Sequence, residues 1–175
     1  MIVVVNDANI LIDIVELGIE NLFFQLNLNF VTTDLVLGEV NDSQVRKLSY
    51  FQEKGLLKIE SLSSGDLIEL YTLSGTIGNL SDNDLSAFIL SQKKNGILLT
   101  SDNRLRKHAK SQDKEVHGHL WIFDQLVDQG IMPPETASIK LKLLCEEVNE
   151  KLGLPDKECQ RRYKKWRGSQ SDENS

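Results

Sequence analysis

Four acidic residues stand where alternating strands and helices would bring chemistry together: Asp7, Glu39, Asp84 and Asp102. Each lies beside the end of a predicted strand or at the start of the helix that follows one. Two carboxylates about 4 Å apart repel by roughly 4 kcal/mol at an effective dielectric of about 20, so three or four share a pocket as anions only around a cation. A carboxylate set without histidine or thiol prefers a hard ion, Mg²⁺ or Mn²⁺. Such an ion lowers the pKa of a water, clamps a scissile phosphate and stabilises the departing oxygen, which is the chemistry of a metal-dependent nuclease. The plainer reading is capping, because an acid at a strand end commonly caps the next helix. Asp82, Asp13 and Asp34 are read that way, and joint placement is what sets the other four apart.

The elements that must position them are legible in the same chain. Residues 80–109 form the organising stretch. Ser81 caps a helix carrying Leu85, Phe88 and Ile89, Asn95-Gly96 ends it, and 97–99 is an apolar run too short for anything but a buried strand, stopping at Thr100-Ser101-Asp102. Asp84 reaches the same edge as Asp102 only if the first turn of its helix packs over the sheet.

Residues 2–5 are four apolar residues without polar alternation, the mark of a strand buried on both faces, with Asp7 emerging at its end. Further strands are predicted at 30–33, at 56–60 and, least securely, at 115–117. The strand at 56–60 reads as an edge because Lys58 and Glu60 alternate with its apolar residues. Helices are predicted from Ile10, at 22–26, from Asp34, and at 43–54, 66–73, 104–110 and 120–129, with 135–152 and 156–166 beyond them. Strand and helix alternate throughout the first part, which predicts a three-layer α/β/α sandwich around a mainly parallel sheet of four to five strands, with a C-terminal helical extension.

At 175 residues and 40% hydrophobic content the chain suits one compact domain. No apolar run approaches a membrane span, and Met1 leads into the first strand without a charged leader or a cleavage site, so a soluble, cytoplasmic protein is expected. Cys145 and Cys159 have no metal-ligand spacing and read as a reduced pair. Residues 1–90 carry 4 Lys/Arg against 13 Asp/Glu, whereas 91–175 carry 16 against 13. The basic residues cluster locally, and local patches matter more than the total.

The segments VVNDANILID, LVLGEV, LSDNDLSAFILS and LLTSDNRLRKHA, in that order across residues 2–132, resemble the PIN domain. The matches fall on Asp7 and Asn9, on Glu39, on Ser81 and Asp84, and on Thr100 and Asp102. The resemblance implies a Rossmann-like fold, an acidic Mg²⁺/Mn²⁺ pocket and endoribonuclease activity on RNA. In bacterial and archaeal members, often VapC-like toxins, it also implies a small antitoxin partner and a homodimer. Carried over, Asp7, Glu39, Asp84 and Asp102 are the metal ligands and catalytic acids, and Asn9, Ser81 and Thr100 support them with amide or hydroxyl groups. Many members carry another acid shortly after the fourth motif's first one, where this chain has Asn103 and Arg104. Domain limits follow as 1–132 for the nuclease unit, 133–167 for the helical extension and 168–175 for a disordered tail.

Arg104, Arg106 and Lys107 follow Asp102 directly; they either grip RNA phosphates beside the pocket or form a solvated helix face. Residues 161–167 mix cations with Tyr163 and Trp166, as a nucleic-acid grip or as a helix docking its Trp on the core. Phe23, Phe24 and Leu26 read as core rather than a partner-binding patch, and His117 and His119 as structural rather than metal ligands. The rival to a nuclease is a catalytically inactive PIN-like binding module. A receiver-like phosphoryl-transfer domain would need a lysine at a matching strand end, and none stands there.

Overall fold

The computed structural model describes residues 2–78 and 80–168. Five strands, Ile2–Asn6 (β1), Leu28–Thr33 (β2), Leu57–Glu60 (β3), Ile97–Leu99 (β4) and Val116–His117 (β5), form one parallel sheet in the order β3-β2-β1-β4-β5. The apolar run at the start of the chain is therefore the central strand, with Val4 and Val5 fully buried. The alternating strand β3 is an edge, where one face tolerates Lys58.

The connecting helices are Ala8–Glu16 (α1), Glu20–Phe23 (α2), Asp34–Leu37 (α3), Asp42–Glu53 (α4), Ser64–Thr76 (α5), Asp82–Lys93 (α6), Asn103–Ser111 (α7) and His119–Asp128 (α8). They flank the sheet to give the α/β/α sandwich. Pro134–Leu143 (α9) and Asp156–Gly168 (α10) make the C-terminal extension. Among the described residues no helix is long and apolar enough to cross a membrane. The expected disordered tail lies outside the described residues except for Gly168, which ends α10.

Helix α6 is buried on almost every side. Residues Leu85, Ser86, Ala87, Phe88, Ile89, Leu90 and Ser91 are all inaccessible, because α6 packs on β1, β2 and β4 and is itself covered by α3, α5 and α7. A helix buried all round shows little amphipathic contrast, which is why an apolar stripe alone understates it. Its start is a capping box in which Ser81 and Asp84 bond each other's backbone N–H, and Ser86 Oγ meets Thr33 Oγ1 at 2.7 Å, tying the first turns of α6 to the end of β2.

At the far end of α6, Asn95 takes the left-handed conformation (φ 47°) and Gly96 N–H reaches back to the Ser91 carbonyl, a Schellman closure with asparagine in the usual glycine position. Gly96 is needed for a different reason. A Cβ there would lie 2.8 Å from the Val3 carbonyl oxygen and 3.1 Å from Val3 Cγ1, both in the central strand. Gly96→Ala is expected to destabilise the fold by about 1–3 kcal/mol, because neither β1 nor β4 can yield without breaking the ladder. A urea unfolding midpoint equal to the parent's would contradict this.

The C-terminal periodicity departs from the expected single helix over 135–152. Helix α9 passes into a π turn, Leu144–Val148, and ends at Asn149. Ile139 is 61% exposed, and Ala137, Leu141 and Leu144 form the buried face instead. Phe23, Phe24 and Leu26 are core, with Phe24 packed against Phe30 and stacked on Phe51.

Candidate active site

The parallel register brings the acids to one edge of the sheet. Asn6 pairs with Leu99, and Asp7 N–H continues the ladder to the Leu99 carbonyl at 2.9 Å, so Asp7 stands opposite Thr100 just beyond the ends of two adjacent strands. Ligands of open α/β sheets bind at this carboxyl edge. The Thr100 hydroxyl donates to Asp7 Oδ2 at 2.7 Å and accepts from Asp102 N–H at 3.1 Å, so one side chain couples the two acids.

Asp7 is 1% exposed. Burial pushes its carboxyl from 3.8 up to about 7; the Thr100 hydroxyl and the Ala8 N–H oppose the shift, and the nearby charges of Asp84 and Glu39 add to it. Asp84 and Glu39 are therefore close enough to act on Asp7 electrostatically. The first turn of α6 does pack over the sheet edge, as the Asp84 reading requires. Glu39 is exposed at the end of α3, where Asn83 Nδ2 donates to its Oε1 at 2.6 Å. Asn83 escapes a reading of the sequence, because its partner lies 44 residues away.

Capping and site-building turn out to be compatible. Asp7 accepts from Ala8 N–H at the start of α1, Asp84 from Ser81 N–H, and Asp102 from Leu105 N–H at the start of α7. Glu39 Oε1, which accepts from Asn83, is likewise engaged, so each of the four acids holds at least one hydrogen bond. The donor chemistry suits a hard divalent cation. As they stand, however, no three His, Cys, Asp or Glu side chains among the described residues are grouped closely enough to hold a metal ion.

A cavity of about 480 Å³ is lined by Asp102 and Asn9 on the sheet side and by Asn149, Lys151 and Leu152 on the other, whereas Asp7, Glu39 and Asp84 lie outside its lining. The C-terminal extension thus supplies a wall that an unbroken helix would have denied it. Asn149 is fixed there by donating to Asp13 Oδ2 at 2.9 Å, and the same oxygen is 3.0 Å from His119 Nε2. Asp13 is buried in this polar trio, so it is neither a solvent-facing cap nor part of the acidic edge. His119 is part of the interior, and His117 stacks on Trp121 with its Nε2 2.8 Å from Glu115.

Of the other residues singled out, Ser81 caps the helix that carries Asp84, Asn9 is exposed at the cavity, and Asp82 is exposed. Asp34 is the first residue of α3, whose cap is Thr33, and accepts from Leu35 N–H and from the Ser61 hydroxyl. Arg106 is pinned rather than free, donating to the Thr100 carbonyl at 3.1 Å and packing over Gly118. Arg104 and Lys107 are exposed on α7. The basic C-terminal stretch is mostly structural: Arg162 pairs with Asp124 and Glu158, Lys165 with Asp128, and Trp166 is 1% exposed.

No curated protein matches this sequence. A family model, DUF3368, described as a PIN domain, matches residues 3–162 and so continues through α9 and half of α10. Nine-tenths of the chain fits that model, its strands form the one parallel sheet described above, and the chain belongs to the PIN-domain family.

Proposed function

We propose that this PIN-domain protein is a metal-dependent endoribonuclease that hydrolyses RNA phosphodiester bonds at the acidic edge of its sheet. The observation that carries the reading is Asp7: a carboxyl inaccessible to solvent at the end of the central strand, whose proton affinity is raised by burial and by two neighbouring acids. A group so destabilised as an anion is one that a divalent ion would relieve. Mg²⁺ or Mn²⁺ bound there supplies a Lewis acid for the phosphate and acidifies the attacking water.

Asp7, Glu39, Asp84 and Asp102 are the proposed ligands and catalytic acids. Thr100 orients Asp7 while holding the Asp102 backbone. Asn9 and Ser81 support the edge, and Arg104 and Lys107 are proposed to hold the phosphates on either side of the cut. The exposed cations of α7 suit a single strand better than a duplex. In the finer assignment the protein is a cytoplasmic, VapC-like toxin, a homodimer paired with a small antitoxin. Its nuclease domain is residues 1–132, and its extension is 133–167.

One observation favours the rival, an inactive PIN-like binding module: Glu39 is engaged by Asn83, Asp84 by its own cap, and the acids are not grouped tightly enough to grip an ion as they stand. Two measurements decide between them. Purified protein with Mn²⁺ is expected to cleave single-stranded RNA, chelation to stop it, and Asp102→Asn to reduce it to background. Calorimetric titration is expected to show Mn²⁺ binding that the same substitution weakens. Cleavage that survives Asp102→Asn removes the assignment, and absence of both cleavage and carboxylate-dependent Mn²⁺ binding establishes the module.

A further inference from the structure

Beside the acidic cavity lies a second one of about 430 Å³, and Ser101, Asn103 and Leu152 belong to the walls of both. Its lining includes the His117–Trp121 pair, whose rings lie 4.7 Å apart and 9° from parallel. Both rings are partly exposed, whereas the chain's other tryptophan, Trp166, is 1% exposed. Leu154, Pro155 and Glu158 also line it, as does Arg106, whose guanidinium donates to the Thr100 carbonyl at 3.1 Å.

We infer that this second cavity is a nucleobase subsite, which holds one unstacked base of a single-stranded RNA whose adjacent phosphate lies at the acidic edge. The inference rests on the nuclease reading for what happens at that edge. A flat, half-open π face suits a base, since every base can stack on an aromatic ring. The shared wall lets one nucleotide span both cavities. The fixed guanidinium of Arg106, in the lining of the second cavity, offers N–H donors to a phosphate or to a base edge. Part of its wall is also preformed, because Arg162 is held by pairing with Asp124 and Glu158. An amphipathic helix of a partner protein would need a long apolar groove. This cavity is compact and mixed in polarity. Stacking accepts any base, so discrimination falls to the polar groups of the lining, Arg106 and Asn103, and through them cleavage depends on the identity of one base next to the cut.

The test uses the full chain in EDTA, so that nothing is cut, titrated with short homopolymeric ribo-oligonucleotides of A, C, G and U. Trp166 is shielded, so quenching of tryptophan emission reports Trp121. Saturable quenching is expected, stronger for one or two of the four bases. His117→Ala, which keeps the reporter, and Trp121→Leu, followed by anisotropy of a labelled oligonucleotide, are each expected to lose about tenfold in affinity for the preferred base. Circular dichroism and Trp166 emission monitor folding, and His117→Ala, at a partly exposed position, covers the event that Trp121→Leu fails to fold. Equal affinity of parent and His117→Ala for all four oligonucleotides overturns the subsite, even where Mn²⁺-dependent cleavage persists. Base-selective binding that is lost in His117→Ala supports it, even where no cleavage is found and the nuclease reading fails.

Discussion

Replacing Asp7 with asparagine is expected to raise stability at pH 8 by up to about 4 kcal/mol while abolishing metal-dependent RNA cleavage. The carboxyl titrates near 3.8 when free of the fold and at about 7 inside it. Between those values the folded protein holds a proton that the unfolded chain has released. This group's contribution to stability is therefore fully present below pH 4, falls as pH rises through the window and is gone above about pH 7. An asparagine carries no such penalty, and its amide can meet both the Ala8 N–H and the Thr100 hydroxyl that now serve the carboxylate. Urea unfolding in EDTA at pH 5 and pH 8 measures the effect: the parent loses stability across the interval, and the variant loses less. Added Mn²⁺ should then restore the parent at pH 8 and leave the variant unchanged, since only a folded site with the full acid set gains from the ion. Identical pH dependence of the two proteins would remove the buried, cation-seeking Asp7 from the account.

That trade of stability for a charged edge explains which parts of the site can be read from the chain. Residues 2–5 and 97–99 are unbroken apolar runs because both faces of β1 and β4 are covered, so the acids just beyond them are visible as strand-end acids. Glu39 is exposed, and no apolar pattern points to it; only its motif does. Whether Asp84 reaches the edge depends on how α6 seats against β2, which the Ser86–Thr33 hydroxyl contact fixes and periodicity cannot express. The same limit hides Asn83 and Asn149, whose roles are to bond residues far away in sequence. The apolar residues of 135–152 continue at near-helical spacing through the π turn, and nothing in that spacing says that the helix stops short of Asn149. A reading by periodicity thus assigns to a helix the residues that wall the two cavities.

Trp166→Ala is expected to cost about 3–5 kcal/mol, the largest stability loss argued for any single side chain of the extension. Helix α10 buries Cys159, Arg162 and Trp166 at helical spacing, and the indole ring packs near Phe123 of α8 at 6.4 Å between centroids. Removing it leaves a cavity that the sandwich cannot collapse to fill, because the other anchor on that face, Arg162 with Asp124 and Glu158, fixes the helix from the side. Two responses compete, and the cheaper one wins. If re-docking fails, α10 detaches, and the loss is capped at the free energy of holding it. Hydrogen exchange separates the two: detachment removes protection from α10 amides while β1 and β4 keep theirs, and global destabilisation lowers all of them together. Lys164→Ala, on the exposed face of the same helix, should change stability by less than about 0.5 kcal/mol. The mixture of cations and aromatics at 161–167 allows the opposite outcome, in which Trp166→Ala keeps the parent's unfolding midpoint and loses RNA binding. That result would mean the ring is offered to nucleic acid rather than to the core, and the wall of the second cavity would need another support.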